Sequence, residues 1–196
     1  MNNDRFLKII DGLLTPEECE RFIRVLDNED LILVDRGDLA TYQRGLWISE
    51  AFSDELYRRL RPHLPAGVRA EVVRCNEYFR FSKYVVGQEF GIHTDGTNLD
   101  QFGNVSQYTV NIFLNSEFEG GETDFFQGVS TGGGSTRAIP LAGRAAVFDR
   151  GILHCGNRVI SGVKYLLRTD LMVPIPTVDK SGDFRTLAPP SSAQSR

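Results

Sequence analysis

Between residues 72 and 173 the chain is a succession of short apolar segments: 72–73, 79–86, 108–114, 123–126, 145–148 and 163–173. They are rich in β-branched and aromatic residues, and clusters of Gly, Asn and Asp separate them. Segments of this kind are strands, and the turn residues between them leave no crossover helices. A parallel βαβ sheet is therefore excluded. The strands must run antiparallel and bury their apolar faces against a second sheet, so a β-sandwich or barrel is predicted.

Helices are signalled only N-terminal to this region. Thr15-Pro16-Glu17-Glu18 supplies an N-cap, a proline at N1 and a capping-box acid, and Cys19, Phe22, Ile23 and Leu26 follow at helical spacing. Ser53-Asp54-Glu55 predicts the start of a second helix with Leu56 and Leu60 on one side and Pro62 as its stop, leaving His63 exposed at its end. Residues 1–71 are read as a helical and strand support region of one domain, 72–174 as its core, and 178–196, rich in Ser, Pro and charge, as a disordered tail. The polar, glycine-rich stretches 96–106 and 127–136 are predicted to be binding loops, the second a mobile lid.

Composition narrows the function. A net charge of −4 with no basic block argues against nucleic-acid and anionic-membrane partners, and no apolar run approaches a membrane span. The start of the chain has no secretory pattern. Cys19, Cys75 and Cys155 are odd in number and lack CxxC spacing, which predicts reduced thiols and a cytoplasmic location. Cys155 is read as a small core residue.

Chemistry concentrates around His93-Thr94-Asp95. Residues i and i+2 of a strand share a face, so His93 and Asp95 project together and offer an imidazole and a carboxylate to one metal. Of the 3 histidines, His154 is the remaining candidate ligand. Two His and one carboxylate on one face of an octahedron leave three positions open, the arrangement of non-haem Fe(II) oxygenases. Lys164 follows at the start of an apolar strand, and residues 156–162 are read as the turn of a hairpin that pairs it with 153–155. An ammonium there either reaches solvent or needs an anion, such as the far carboxylate of a metal-chelating dicarboxylate.

Together these stretches resemble the 2-oxoglutarate- and Fe(II)-dependent dioxygenases of the prolyl-4-hydroxylase type. The resemblance is carried by 80–88, His93-Thr94-Asp95-Gly96, Phe113-Leu114-Asn115 with Gly120-Gly121-Glu122-Thr123, 143–148, His154-Cys155-Gly156 and 162–170. It implies a double-stranded β-helix, or jelly-roll, with the N-terminal helices packed on one sheet. His93, Asp95 and His154 would hold Fe(II), and Lys164 and Tyr84 would bind 2-oxoglutarate. The family's tyrosine that helps anchor the distal carboxylate is replaced by Phe113, so Thr109 or Asn111 is the substitute anchor. Arg168, Arg80 and Asn76 are candidate substrate contacts by strand parity; Arg168 is also able to pair with Asp95 or Asp170. Gly120-Gly121 needs no explanation beyond a hairpin turn.

The implied reaction consumes O2 and 2-oxoglutarate, releases succinate and CO2, and hydroxylates an unactivated C–H, with ascorbate as reductant. A carboxylate at Asp95 rather than a small residue favours hydroxylation over halogenation. The substrate is a peptidyl proline or other side chain, or a free amino acid or metabolite; the oligomeric state is left open. Two alternatives remain: a zinc hydrolase, which has no use for Lys164, and a cupin-like binding or sensor module that does not turn over.

Overall fold

The computed structural model describes residues 5–127, 134–175, 177–178 and 184–185. In chain order the elements are β1 (Leu7–Ile10), α1 (Pro16–Asp27), β2 (Ile32–Asp35), β3 (Thr41–Ile48), α2 (Glu50–Leu60), a 3-10 turn (Arg61–His63), α3 (Ala66–Glu71), β4 (Arg74–Cys75), β5 (Tyr78–Tyr84), β6 (Phe90–His93) and β7 (Asn104–Phe113). They continue with β8 (Phe118–Gly120), β9 (Thr123–Phe126), β10 (Ser135–Ala138), β11 (Ala145–Asp149), β12 (Leu153–Gly156), β13 (Val159–Gly162), β14 (Lys164–Pro174), β15 (Thr177–Val178) and β16 (Phe184–Arg185).

A large antiparallel sheet runs β1-β11-β7-β14-β5-β3-β2, with β4 also pairing β14, and a smaller sheet runs β10-β9-β12-β6. The fold is a jelly-roll with helices on one sheet. Strand alternation divides the large sheet's side chains between two cores. Phe79, Phe81, Val110, Ile112, Val147, Leu167 and Leu171 face the helices, where they bury Leu14, Cys19, Leu26, Leu56 and Leu60. Phe113, Ala146, Phe148 and Leu166 face the other way and pack on Phe125, Ala138 and Ile152 between the sheets.

The first helix has the expected capping box, Thr15 and Glu18 each satisfying the other's backbone N–H. The second begins earlier than predicted. Ser49 is its N-cap, accepting from the Phe52 N–H, and Ser53 lies inside the helix, fully buried, donating to the Cys75 carbonyl at 2.8 Å. A buried acceptor on β4 took the hydroxyl that local sequence would assign to a cap. Strands β1, β2 and β3 extend the large sheet, and His63 is exposed at the end of the 3-10 turn.

The predicted 153–163 hairpin does not form. β12 belongs to the small sheet, β14 to the large one, and β13 between them pairs with β8. The chain crosses from one sheet to the other here, so His154 and Lys164 face each other across the sandwich. Gly120-Gly121 is likewise a crossing between β8 and β9 rather than a hairpin turn. Loop 96–106 is shorter than predicted because β7 begins at Asn104, and Asp100 ties it down by accepting from the backbone of Phe102 and Asn104. Of the predicted lid, Ser135 and Thr136 are in β10, and residues 128–133 lie outside the described residues, as do 179–183 and 186–196 of the tail. Cys155 is half-buried rather than a core residue, its thiol 3.4 Å from Asn157 Oδ1.

Gly143 makes the tightest backbone approach. Its φ is +79°, its carbonyl receives the Leu13 and Leu14 N–H groups, and a Cβ there would lie 2.0 Å from the Leu14 carbonyl oxygen. Gly143→Ala is expected to cost about 3 kcal/mol in chemical denaturation, from left-handed strain and this clash together. Gly67→Ala, with no atom within 4 Å of the new methyl, should leave stability unchanged or raise it by less than about 1 kcal/mol.

Candidate metal centre

The small sheet sets His93 and His154 directly opposite each other, as cross-strand partners of β6 and β12. Each ring is held by its own strand. His93 Nδ1 lies 2.8 Å from the Gly91 carbonyl and His154 Nδ1 lies 2.9 Å from the Ile152 carbonyl. A carbonyl only accepts, so Nδ1 carries the proton in both rings and each Nε2 lone pair is free. The rings are 4.2 Å apart; Phe90 stacks on His93 at 3.8 Å, and Phe148 meets His154 edge-on at 4.8 Å.

Asp95 lies just past the end of β6, where its backbone N–H donates to the Arg150 carbonyl. This turns the carboxylate back toward the histidines: Oδ1 is 3.6 Å from His93 Nε2 and Oδ2 is 3.8 Å from His154 Nε2. One ligand atom from each of the three residues lies within 4.8 Å of the others, a group able to hold a metal ion. Burial works to raise the Asp95 pKa, but contacts with His93, Arg168, His154 and Thr109 together hold it well below the usual carboxylate range. Burial pushes His154 down to about 4, so the ring is neutral. A neutral imidazole at His154 and an ionised carboxylate at Asp95 are the protonation states a divalent ion requires of them.

Across the sandwich, Lys164 at the start of β14 is 3% exposed. Its Nζ donates to the Gly121 carbonyl at 2.7 Å and lies 5.2 Å from the Tyr84 ring and 5.6 Å from the Phe113 ring. Among the described residues no carboxylate comes within ion-pair distance of it. Burial pushes the ammonium down to about 8. An unpaired buried cation is costly, and its surroundings fit an anion. Gly121 has a reason beyond turning: a Cβ there would lie 2.8 Å from the Phe118 ring and 3.1 Å from the Lys164 stem.

These groups share a cavity of about 410 Å3 lined by His93, His154, Lys164, Tyr84, Arg80, Asn111 and Arg168. Tyr84 is buried and stacks on Tyr42 at 5.0 Å. Thr109 is engaged elsewhere: its hydroxyl donates to Asp95 Oδ2 at 2.6 Å, behind the carboxylate. Asn111 Oδ1 is buried with no hydrogen-bond partner among the described residues. Arg168 Nη1 is 2.9 Å from Asp95 Oδ1 and its Nη2 3.5 Å from Asp170. Arg80 also pairs with Asp170, at 3.1 Å. Asn76 is not in the cavity. It is buried at the β4–β5 junction, accepting from the Tyr78 N–H and meeting the Met172 sulfur, because the irregular step at 76–77 breaks the parity with Arg80 and Tyr84.

The sequence reading missed Arg36, Tyr42, Arg44, Ser82, Phe90, Asn98 and Thr123, which also line the cavity. Tyr42 and Arg44 had a legible signal: in β3 the alternate residues Gly45 and Trp47 are apolar, leaving 42 and 44 on the opposite face.

The sequence pattern of the 2OG-Fe(II) oxygenase superfamily matches residues 79–169, which contain His93, Asp95, His154 and Lys164. Over those residues the chain carries that superfamily's pattern. Fe(II) and 2-oxoglutarate are its metal and cosubstrate, and the zinc-hydrolase and non-catalytic alternatives fall away. No curated protein sequence matches the chain. Its structure is similar to a Pseudomonas putida prolyl-4-hydroxylase (TM-score 0.66, 16% identity, 87% of this chain and 94% of that one). It is also similar to the viral collagen prolyl hydroxylase of Paramecium Bursaria Chlorella virus-1 in its 2OG complex (0.60, 20%, 86% and 96%). A third is the Trichoplax adhaerens prolyl hydroxylase in complex with a hypoxia inducible factor peptide fragment (0.63, 15%, 85% and 83%). At these identities the likeness is one of fold. No helix among the described residues is long and apolar enough to cross a membrane.

The depressed Lys164 ammonium has a pH signature. Between about 8 and the ordinary 10.5, the unfolded chain keeps this proton and the native protein has lost it. Stability of the metal-free protein should therefore rise with pH across that window, by on the order of 3 kcal/mol for this group. Denaturant midpoints of wild type and Lys164→Met compared from pH 7 to 10.5 check it: the variant should lack this rise.

Proposed function

We propose that this oxygenase is a hydroxylase of the prolyl-4-hydroxylase type, acting on an unactivated C–H of a peptidyl proline or other residue, or of a free amino acid or metabolite. The reading rests on one observation above the rest: a buried lysine with no acidic partner among the described residues, facing a two-His, one-carboxylate cluster across a single cavity. The catalytic core is taken as 72–174. Three free cysteines suit a reducing cytoplasm, and ascorbate is the expected reductant.

His93, Asp95 and His154 would hold Fe(II), which when bound supplies O2 activation coupled to conversion of 2-oxoglutarate to succinate and CO2 and to oxidation of the substrate C–H. The chain's own contribution is orientation, charge and exclusion of water. The Gly91 and Ile152 carbonyls fix both imidazole tautomers with Nε2 inward. Thr109 and Arg168 each occupy one oxygen of Asp95, which fixes the plane of the carboxylate. Lys164 would receive the distal carboxylate of 2-oxoglutarate, with the Tyr84 ring beside it and Asn111 as a further polar contact. Phe90, Phe125 and Phe148 pack on the imidazoles and keep water from them.

Anaerobic titration of 2-oxoglutarate into the Fe(II) protein, followed by the metal-to-ligand charge-transfer absorbance, tests this directly. Wild type should show the band. Lys164→Ala should weaken 2-oxoglutarate by at least about tenfold, as expected for losing a hydrogen bond to a charged group, with Fe(II) affinity nearly unchanged. Lys164→Arg should recover part of the loss, because a fork does not fit a point-charge site. Ala at His93, Asp95 or His154 should abolish turnover and Fe(II) binding while the fold persists. Absence of the band in wild type refutes the assignment.

Thr109 gives a separate check. Thr109→Val keeps the shape and removes the donor to Asp95, and should weaken Mn(II) or Fe(II) binding roughly 10–100-fold with the denaturation midpoint little changed.

A further inference from the structure

The cavity is bordered by four guanidinium groups, Arg36, Arg44, Arg80 and Arg168, and among the described residues no carboxylate lines it; Asp95 lies behind Arg168. This is unusual in a chain whose net charge is −4. Two of the four are balanced: Arg80 by Asp170, and Arg168 by Asp95 and Asp170. Arg36 and Arg44 make no ion pair among the described residues, and both are exposed, at the mouth.

Strand register separates this charge from the cosubstrate's lysine. Arg44 on β3 stands opposite Ser82 on β5, which stands opposite Leu166 on β14, whereas Lys164 stands opposite Tyr84. Arg44 is thus two strands across and one pleat along from Lys164, roughly 10–12 Å away by strand spacing. It belongs to the same face of the sheet but serves a second position. Two further groups at the cavity, Asn111 Oδ1 and Arg168 Nε, are buried without partners among the described residues, so the space between the mouth and the candidate metal group expects a polar occupant.

Resting on the oxygenase reading above, we infer that the substrate is an anion. It carries a carboxylate or phosphate that Arg44 and Arg36 receive at the mouth, which directs the C–H to be oxidised inward toward His93 and His154. Guanidinium donors match both oxyanions, and cations in a cleft with low-dielectric walls concentrate an anionic ligand there. A neutral prolyl segment would leave both arginines without a function at the site.

The test uses the full chain loaded with Mn(II) and saturating 2-oxoglutarate under nitrogen. Binding is measured by thermal shift for matched pairs: amino acids and acidic peptides against their amides, and phosphate monoesters against their alcohols. The expected result is that acids of at least one series bind about tenfold or more tighter than their neutral partners. The responding series identifies carboxylate or phosphate. Arg36→Gln/Arg44→Gln should erase that preference while 2-oxoglutarate affinity, read from the anaerobic Fe(II) absorbance, stays within about twofold. Aerobic succinate release should follow the same ranking. Equal binding of acids and neutral partners, no binding by any acid, or an acid preference that survives the double variant overturns the inference. Loss of the absorbance band in wild type would instead overturn the oxygenase assignment beneath it.

Discussion

The pairing of His93 with His154 across β6 and β12 is the contact on which the site depends. Side chains alternate with a period of two, so a slip of one residue would turn one imidazole to the other face and remove one of the three members of the cluster. The register is defended on both flanks: β9 pairs with β12 from Leu153 to Gly156, and Phe125 and Phe148 pack on the inner ring. Asp95 needs no strand of its own once the Arg150 carbonyl holds its backbone N–H. The candidate metal group is thus an outcome of how the small sheet closes.

The large sheet supplies the opposite requirement. β14 is its central strand, almost entirely buried, yet it carries Lys164, Arg168 and Asp170 on the face turned to the cavity. Burying these charges is unfavourable by several kcal/mol each unless they are compensated. Arg168 and Asp170 are compensated within the protein. Among the described residues Lys164 hydrogen-bonds only the Gly121 carbonyl, so its charge is compensated in part. The apolar cores on both sides of the sheet offset that deficit.

Much of this was readable from the chain alone. Alternation and turn residues determined the antiparallel β class, because a two-residue period with no helical spacing between turns permits little else. The capping box determined the start of the first helix through purely local hydrogen bonds. His93 and Asp95 stood out by their i, i+2 spacing, His154 as one of only 3 histidines, and Lys164 as a cation at the start of an apolar strand. Only the tertiary structure decided which strands are neighbours. It put β12 and β14 in different sheets, moved the cap of the second helix from Ser53 to Ser49, gave Thr109 to Asp95, took Asn76 out of the cavity, and brought Arg36, Tyr42 and Arg44 in from the N-terminal region. Each of these turns on contacts between residues far apart in the chain. Local spacing states which way a side chain points relative to its own strand, and packing alone states what lies in front of it.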